Sequence, residues 1–164
     1  GSGNTRCISY TKADGTGVIG NTVGNHEVVV HTGNGYGSTN TMIRRFTTTL
    51  TNVGTGITYA DSATLGASFT INENGLYAIS TTAFGSTAGW IGVSVNSAQL
   101  TVAIHSITAA NRLAIVGVVG TGSVACSASR VVRLTAGDVV RPHDDATAFV
   151  TDARESFSIA KVGT

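Results

Sequence analysis

Residues 69–80 read FTINENGLYAIS. Apolar residues alternate with polar ones on either side of Asn74-Gly75, a turn pair because glycine accepts positive φ at no steric cost. Two short strands, 68–71 and 76–84, are predicted around that turn. The pattern repeats outward. Segments 43–50, 90–95, 100–104, 113–119, 129–134, 138–141 and 155–162 are equally short and rich in β-branched residues, with Gly, Asn, Asp and Ser between them. Ala136-Gly137-Asp138 is a second turn signal. No window holds apolar residues at i, i+3, i+4 and i+7 for long enough to make a helix. The predicted class is all-β, a sandwich of antiparallel strands.

The faces of these strands differ. Ile91, Val93 and Val95 alternate with Trp90, Gly92 and Ser94, and Leu100, Val102 and Ile104 alternate with Thr101, Ala103 and His105. Both read as strands with one buried face. In segment 113–119, Leu113, Ile115 and Val119 lie on one side and Ala114, Val116 and Val118 on the other. An antiparallel sandwich buries one face of each strand, so a strand apolar on both needs a second apolar neighbour. Another copy of the chain is the expected neighbour, because obligate subunit contacts resemble a core cut in half. A central strand covered by a loop is the other reading.

Composition narrows the class further. Only 12% of the 164 residues are charged, against about 25% in soluble domains, and the net charge is +1. Threonine and serine, 25 and 15 of them, supply the polarity instead. So small a net charge argues against electrostatic binding of nucleic acid. The aliphatic content argues against disorder, and the irregular spacing of the glycines against collagen. No apolar run nears the roughly 18 residues needed to span a bilayer, so no membrane insertion is expected. Residues 1–5 carry neither the basic start nor the apolar stretch of a signal peptide. Cys7 and Cys126 allow one disulfide at most. Two unpaired thiols are expected, since a bridge would need Cys7 to fold back onto the body.

Composition shifts near residue 41. Segment 13–41 is rich in Gly, Asn and Thr, and Val28, Val29 and Val30 are its only apolar cluster. Such a stretch buries little surface and does not order itself cheaply. Residues 1–41 therefore read as an extended arm with one short strand near 27–31, ordered by neighbouring subunits or a larger body. A plain linker or tail is the alternative. Residues 42–164 form the head domain.

The opening stretch also resembles a known pattern. A Phe-bearing strand followed by a Gly-x-Tyr strand marks the globular head shared by complement proteins and the tumour-necrosis-factor superfamily. Phe69, Gly75 and Tyr77 stand in that arrangement here. IGVSVN (91–96) resembles the family's next strand and its Asn-bearing turn. SRVVRLTAGDVV (129–140) resembles the penultimate hairpin through Leu134, Gly137, Asp138 and Val140, and ESFSIAKV (155–162) the closing strand. Order and spacing agree from residue 42 to 162. Ile79 departs from the pattern, standing where an aromatic is usual, and the collagen stalk of the complement relatives is absent. The resemblance implies a jelly-roll β-sandwich that assembles as a homotrimer, with Leu113, Ile115, Val116, Val118 and Tyr77 at the subunit interface.

Residues 44–80, RRFTTTLTNVGTGITYADSATLGASFTINENGLYAIS, also resemble such heads in structural proteins of tailed phages. This implies a non-enzymatic virion protein, extracellular on the particle surface. It would be a capsid decoration or head-fibre protein that grips capsid or tail protein through its arm. Two alternatives are a fibre-tip adhesin that reads a host-surface glycan, and a secreted complement-like binding module.

Motifs for chemistry are sparse. Residues 15–20 spell GxGxxG, but a dinucleotide site needs that motif between a strand and a helix, and neither is evident. It reads as a turn, and no cofactor is expected. His26 and His31 are the one pair of histidines near ligand spacing and read as polar residues of the arm. His105 ends an alternating segment and reads as a rim residue. Asp144 and Asp145, with Asp61 or Asp152 nearby in space, are candidate Ca²⁺ ligands, although adjacent loop acids are more often solvated. His143 beside them imitates part of a hydrolytic triad, but no Ser sits in a nucleophile elbow. No catalytic residue is assigned. Trp90, near Ser86 and Thr87, is a candidate sugar or partner anchor. Tyr36 is a candidate anchor of the arm, and His143 a candidate partner-binding residue. Alternation turns one of Arg44 and Arg45 inward, toward a partner across subunits such as Asp61 or Glu73.

Overall fold

The computed structural model describes residues 9–11, 17–19, 25–39, 41–85, 88–118, 124–145 and 151–164. Its strands run β1 (Ser9–Thr11), β2 (Gly17–Ile19), β3 (Glu27–Tyr36), β4 (Arg44–Val53), β5 (Ile57–Ser62), β6 (Gly66–Ile71), β7 (Gly75–Gly85), β8 (Gly89–Val95), β9 (Arg112–Val118), β10 (Val124–Leu134), β11 (Val139–Asp144) and β12 (Ser156–Gly163). β1 and β2 pair as a small antiparallel hairpin. The others form two five-stranded sheets, β10-β7-β12-β3-β4 and β5-β6-β11-β8-β9. The chain changes sheet from β4 to β5, β6 to β7, β7 to β8, β9 to β10, β10 to β11 and β11 to β12. Successive strands therefore face each other across the core, which is how a jelly roll closes a sandwich.

Side-chain alternation builds that core. In β7 every second residue from Gly75 to Ala83 is buried, and Phe157 and Ile159 do the same in β12. Phe69 stacks on Phe157 with centroids 4.4 Å apart, and Tyr59 lies 4.9 Å from Phe69. Such ring pairs add about 0.5–1.5 kcal/mol beyond their buried area. Val28, Val30, Ile71, Tyr77, Ile79 and Val140 close around them.

Several expectations change. The head does not begin at residue 42. β3 is a long inner strand that pairs with both β12 and β4, and Val28 and Val30 lie in the main core. The glycine-rich end of β3 hid it from composition. Gly33 is required there because a Cβ would collide with the Glu155 carboxylate, and Thr32 and Gly35 take positive φ of 62° and 70°. Of the arm, only β1, β2 and residues from 25 onward lie within the described part.

Residues 100–104 are not a strand. They form a turn leading into a 3-10 turn at Ile104–Ser106. Their polar backbone meets other partners: the Leu100 carbonyl accepts from Met42 N–H, and the Val102 carbonyl contacts His143 Nε2 at 2.7 Å. β5 was not foreseen, since ITYADS mixes apolar and polar residues over only six positions. Gly75 is needed for close approach rather than positive φ: a Cβ there would lie 2.6 Å from Lys161 Cε and 2.7 Å from the Gly163 carbonyl. The positive φ belongs to Gly137, at 98°. No helix among the described residues is long and apolar enough to cross a membrane.

Candidate functional site

The outward face of the first sheet carries small side chains in straight cross-strand rows. Val131, Ala78, Ala160 and Glu27 pair successively across β10, β7, β12 and β3. The next row is Ser129, Ser80, Ser158 and Val29, and the next Ser127, Thr82, Ser156 and His31. Their alternates, such as Ile79, Thr81 and Ile159, point into the sandwich. No segment of the described residues lies over these rows, and Val131 is 59% exposed. A face of Ser and Ala lets a second backbone approach closely while presenting almost no charge to desolvate.

This face ends at a seam. β10 is the edge of the first sheet and β9 the edge of the second. The two edges run side by side around a cleft of about 460 Å³. Arg130 crosses it, donating to the Leu113 carbonyl at 3.0 Å. Here the two-sided apolar strand finds its explanation. β9 is an edge strand, not a central one, and its register against β8 shifts between Val93 and Ser94, so Leu113 is an extra residue. This bulge lets Leu113 and Ala114 both pack on the main core, while Val116 packs on a second cluster with Ala83 and Ile91. Ile115 stays exposed. Leu113 and Val116 thus serve mainly their own protomer. Tyr77 leaves the expected interface altogether: it is fully buried in its own core, and its hydroxyl donates to the Glu73 carbonyl at 2.7 Å. The Val118 side chain lies outside the described residues, as do Val119, Ser86, Thr87 and Cys7. Cys126 is a free thiol, and burial pushes it up to about 11.

Trp90 lies at the rim of the second sheet, 41% exposed. Its ring rests on Gly117, where a Cβ would come within 2.7 Å of it, and the His105 ring stands 5.6 Å away, tilted. Its backbone N–H donates to Asp145 Oδ2 at 2.8 Å. This is a small aromatic platform with a carboxylate beside it.

The remaining candidates turn inward. His143 is fully buried, which removes it as a partner-binding residue. Its Nε2 faces the Val102 carbonyl and so carries the proton; its Nδ1 then accepts from Ser94 Oγ at 3.0 Å. Burial pushes its pKa down, which keeps it neutral, and with both nitrogens engaged it is not placed to serve as a base. Arg44 is buried between Asp144, 3.3 Å away, and Glu155. Tyr36 is no free anchor: its hydroxyl donates to Asp144 Oδ2 at 3.4 Å. Burial above all, with Glu155 and Asp145 adding to it against the pull of Arg44, pushes the Asp144 carboxyl up to about 7. Burial likewise raises Glu155.

Arg45 faces outward and pairs with Asp61 of its own chain at 2.9 Å, so neither arginine reaches across subunits to Asp61 or Glu73. His26 does not read as an arm ligand. Its Nδ1 accepts from the Thr55 and Gly56 N–H groups and its Nε2 lies 3.3 Å from Glu73, tying three loops together. Among the described residues no three of His, Cys, Asp and Glu converge to hold a metal ion. The sequence singled out Arg44 and Asp144 separately but not their meeting with each other and Glu155, because the three are 100 and 11 residues apart.

No protein-family model matches the chain, and no curated protein matches it in sequence. Among solved structures, 233 chains match. One is murine APRIL, a tumour-necrosis-factor-family jelly roll, in a crystal structure at pH 8.0. Its TM-score is 0.54 and its sequence identity 15%, with 83% of this chain and 99% of that chain covered. A likeness at 15% identity speaks for the fold alone. The chain is an all-β sandwich with the tumour-necrosis-factor-like jelly-roll fold.

Proposed function

We propose that the chain is a non-enzymatic, homotrimeric head whose task is attachment and display rather than chemistry. One observation carries this reading: the first sheet presents an uncovered face of small uncharged side chains beside an apolar edge strand. A protein surface so low in charge is suited to meet another protein, and a tumour-necrosis-factor-like fold is compatible with three copies around an axis. The resemblance of residues 44–80 to phage heads supports a place on the surface of a phage particle, as a capsid decoration whose knob projects. The residues before β3 would bind the shell.

A second reading, a fibre-tip adhesin, is favoured by the Trp90 platform, where an indole face and the Asp145 carboxylate could stack and hydrogen-bond a sugar ring. A secreted complement-like module is compatible with the same fold.

Sedimentation of the purified chain tests the assembly. A trimer at micromolar concentration is expected, and Ile115→Asp should reduce it to monomers with an unchanged melting temperature, since Ile115 is exposed in the protomer. A wild-type chain that sediments as a monomer overturns the reading. Gold-labelled antibody on particles separates decoration from fibre tip. Glycan-array binding lost in Trp90→Ala would favour adhesion.

A further inference from the structure

Arg44, Asp144 and Glu155 are enclosed together, none of them more than 1% exposed. One guanidinium against two carboxylates leaves one negative charge too many, and Asp144 Oδ1 meets no donor among the described residues. A buried charge without compensation costs more than taking up a proton, so the closed cluster is neutral only with one proton on its carboxyls. The elements packed around it supply no further positive charge. Tyr36 of β3 is a neutral phenol that donates to Asp144, and Cys126 of β10 stays a neutral thiol. Arg45 of β4 turns outward to Asp61, and His143 of β11 is neutral and turned to Val102 and Ser94. Asp145 and Asp152 add negative charge nearby, although Asp152 is paired with Arg154.

The two carboxylates are not anchored alike. Asp144 ends β11, pairs with Ile91 of β8, and its N–H donates to the Met42 carbonyl at 2.8 Å. Glu155 lies outside any strand, on the connection 152–155 that leads into β12. That connection also holds β3 in a strained shape. The N–H groups of Thr32 and Gly33 donate to the carbonyls of Glu155 and Asp152 at 2.9 and 3.0 Å, and Thr32 sits at a φ of 62°. A β-branched residue rarely takes positive φ, and such strain persists only while the surroundings impose it. Once the proton is lost, the excess charge is relieved most easily by moving the less anchored carboxylate. Arg44 and Asp144 then remain as a matched pair, and the strain at Thr32 is free to relax.

We infer that residues 152–155 are a proton-gated strap, closed on β3 while the buried cluster holds a proton and released, with Glu155 turned to solvent, once that proton is lost. Burial above all pushes the Asp144 carboxyl up to about 7 and raises Glu155 as well, which brings the release into the neutral range. Release is a property of one protomer and does not depend on assembly. Amide hydrogen exchange of the full chain, read by NMR and corrected for its intrinsic pH dependence, tests it. Protection of the Thr32 and Gly33 N–H groups should fall at least about tenfold from about pH 5 to about pH 8, since loss of one proton can shift opening by up to about tenfold per pH unit. The Asp144 and Asp145 amides, bonded to the Met42 and Trp90 carbonyls, should keep their protection. Glu155→Gln and Asp144→Asn each remove the excess charge and should hold Thr32 and Gly33 equally at both pH values. Wild-type protection that does not change with pH overturns the strap. So does an equal loss at all four amides, because the end of β11 would then be the part that gives way. A pH dependence that persists in either variant also overturns it. Should the variants fail to fold, the carboxyl carbon shifts of Asp144 and Glu155 in wild type decide: one proton lost in step with the opening supports the strap, and two carboxylates already ionised at the lower pH overturn it.

Discussion

Over the second sheet, residues 96–111 form a roof; over the first sheet no described segment does so. Under the roof the outward positions are filled tightly. Ser94 and His143 are fully buried, Ile104 and Ile107 close over them, and Gly92 has no room for a side chain because a Cβ would collide with the Ala114 carbonyl of β9 and lie 2.8 Å from Ile104 Cγ1. On the first sheet the outward positions are also small, yet nothing of the same chain covers them. Small residues beneath a roof are explained by the roof. Small residues on an open face have no such explanation within one protomer, and that contrast is the physical reason to place a second copy there.

The largest effect should come from truncation. Removing residues 1–41 deletes β3 from the middle of the open sheet and exposes Phe157 and Ile159, so the cooperative melt should disappear. Removing only 1–24 should preserve it, as read by circular dichroism. A folded 42–164 fragment would break the view that β3 belongs to the head.

The contrast between the faces is sharpened by two substitutions. Gly92→Val beneath the roof should destabilise the protomer by about 2–3 kcal/mol, the usual cost of overpacking, and leave the stoichiometry of the folded fraction unchanged. Ser80→Arg on the open face should do the reverse: assembly lost, with protomer stability within about 0.5 kcal/mol of wild type. Melting curves and light scattering on both variants separate the outcomes. Equal behaviour would remove the distinction between the faces.

A smaller effect concerns pH. The folded state holds the Asp144 proton more tightly than the unfolded chain, whose Asp titrates near about 3.9. Its contribution to stability is therefore fully present below about pH 4, declines as pH rises toward about 7 and is level above that. Glu73, Asp138 and Asp152, whose carboxyls are lowered, act in the opposite sense as pH falls. Asp144→Asn should accordingly gain stability over wild type between pH 4 and 7, and the difference between their melting temperatures across that range isolates the group. A difference independent of pH would show that Asp144 does not titrate there.

Much of the fold was legible in local patterns. Short β-branched segments between turn residues located β4, β6, β7, β8, β9, β11 and β12 to within a few residues. This signal failed where another force replaced it. Residues 100–104 alternate yet make no strand, since their carbonyls are taken by Met42 and His143. β3 lacks the composition of a strand in its second half because Gly33 must clear a carboxylate that arrives from residue 155. Of the candidate residues, Trp90 and Ile115 are exposed, whereas Tyr77 and His143 are buried.

What the amino-acid order determined by itself was the class: short amphipathic strands, few charges and too many apolar positions to stay unfolded. Those properties depend on neighbours within a few residues. Which face stays bare, which charges remain unmatched and which histidine is buried were decided only by the tertiary structure. Each depends on segments far apart in sequence being brought to one place, as Arg44 is to Asp144 and Glu27 to the row that ends at Val131.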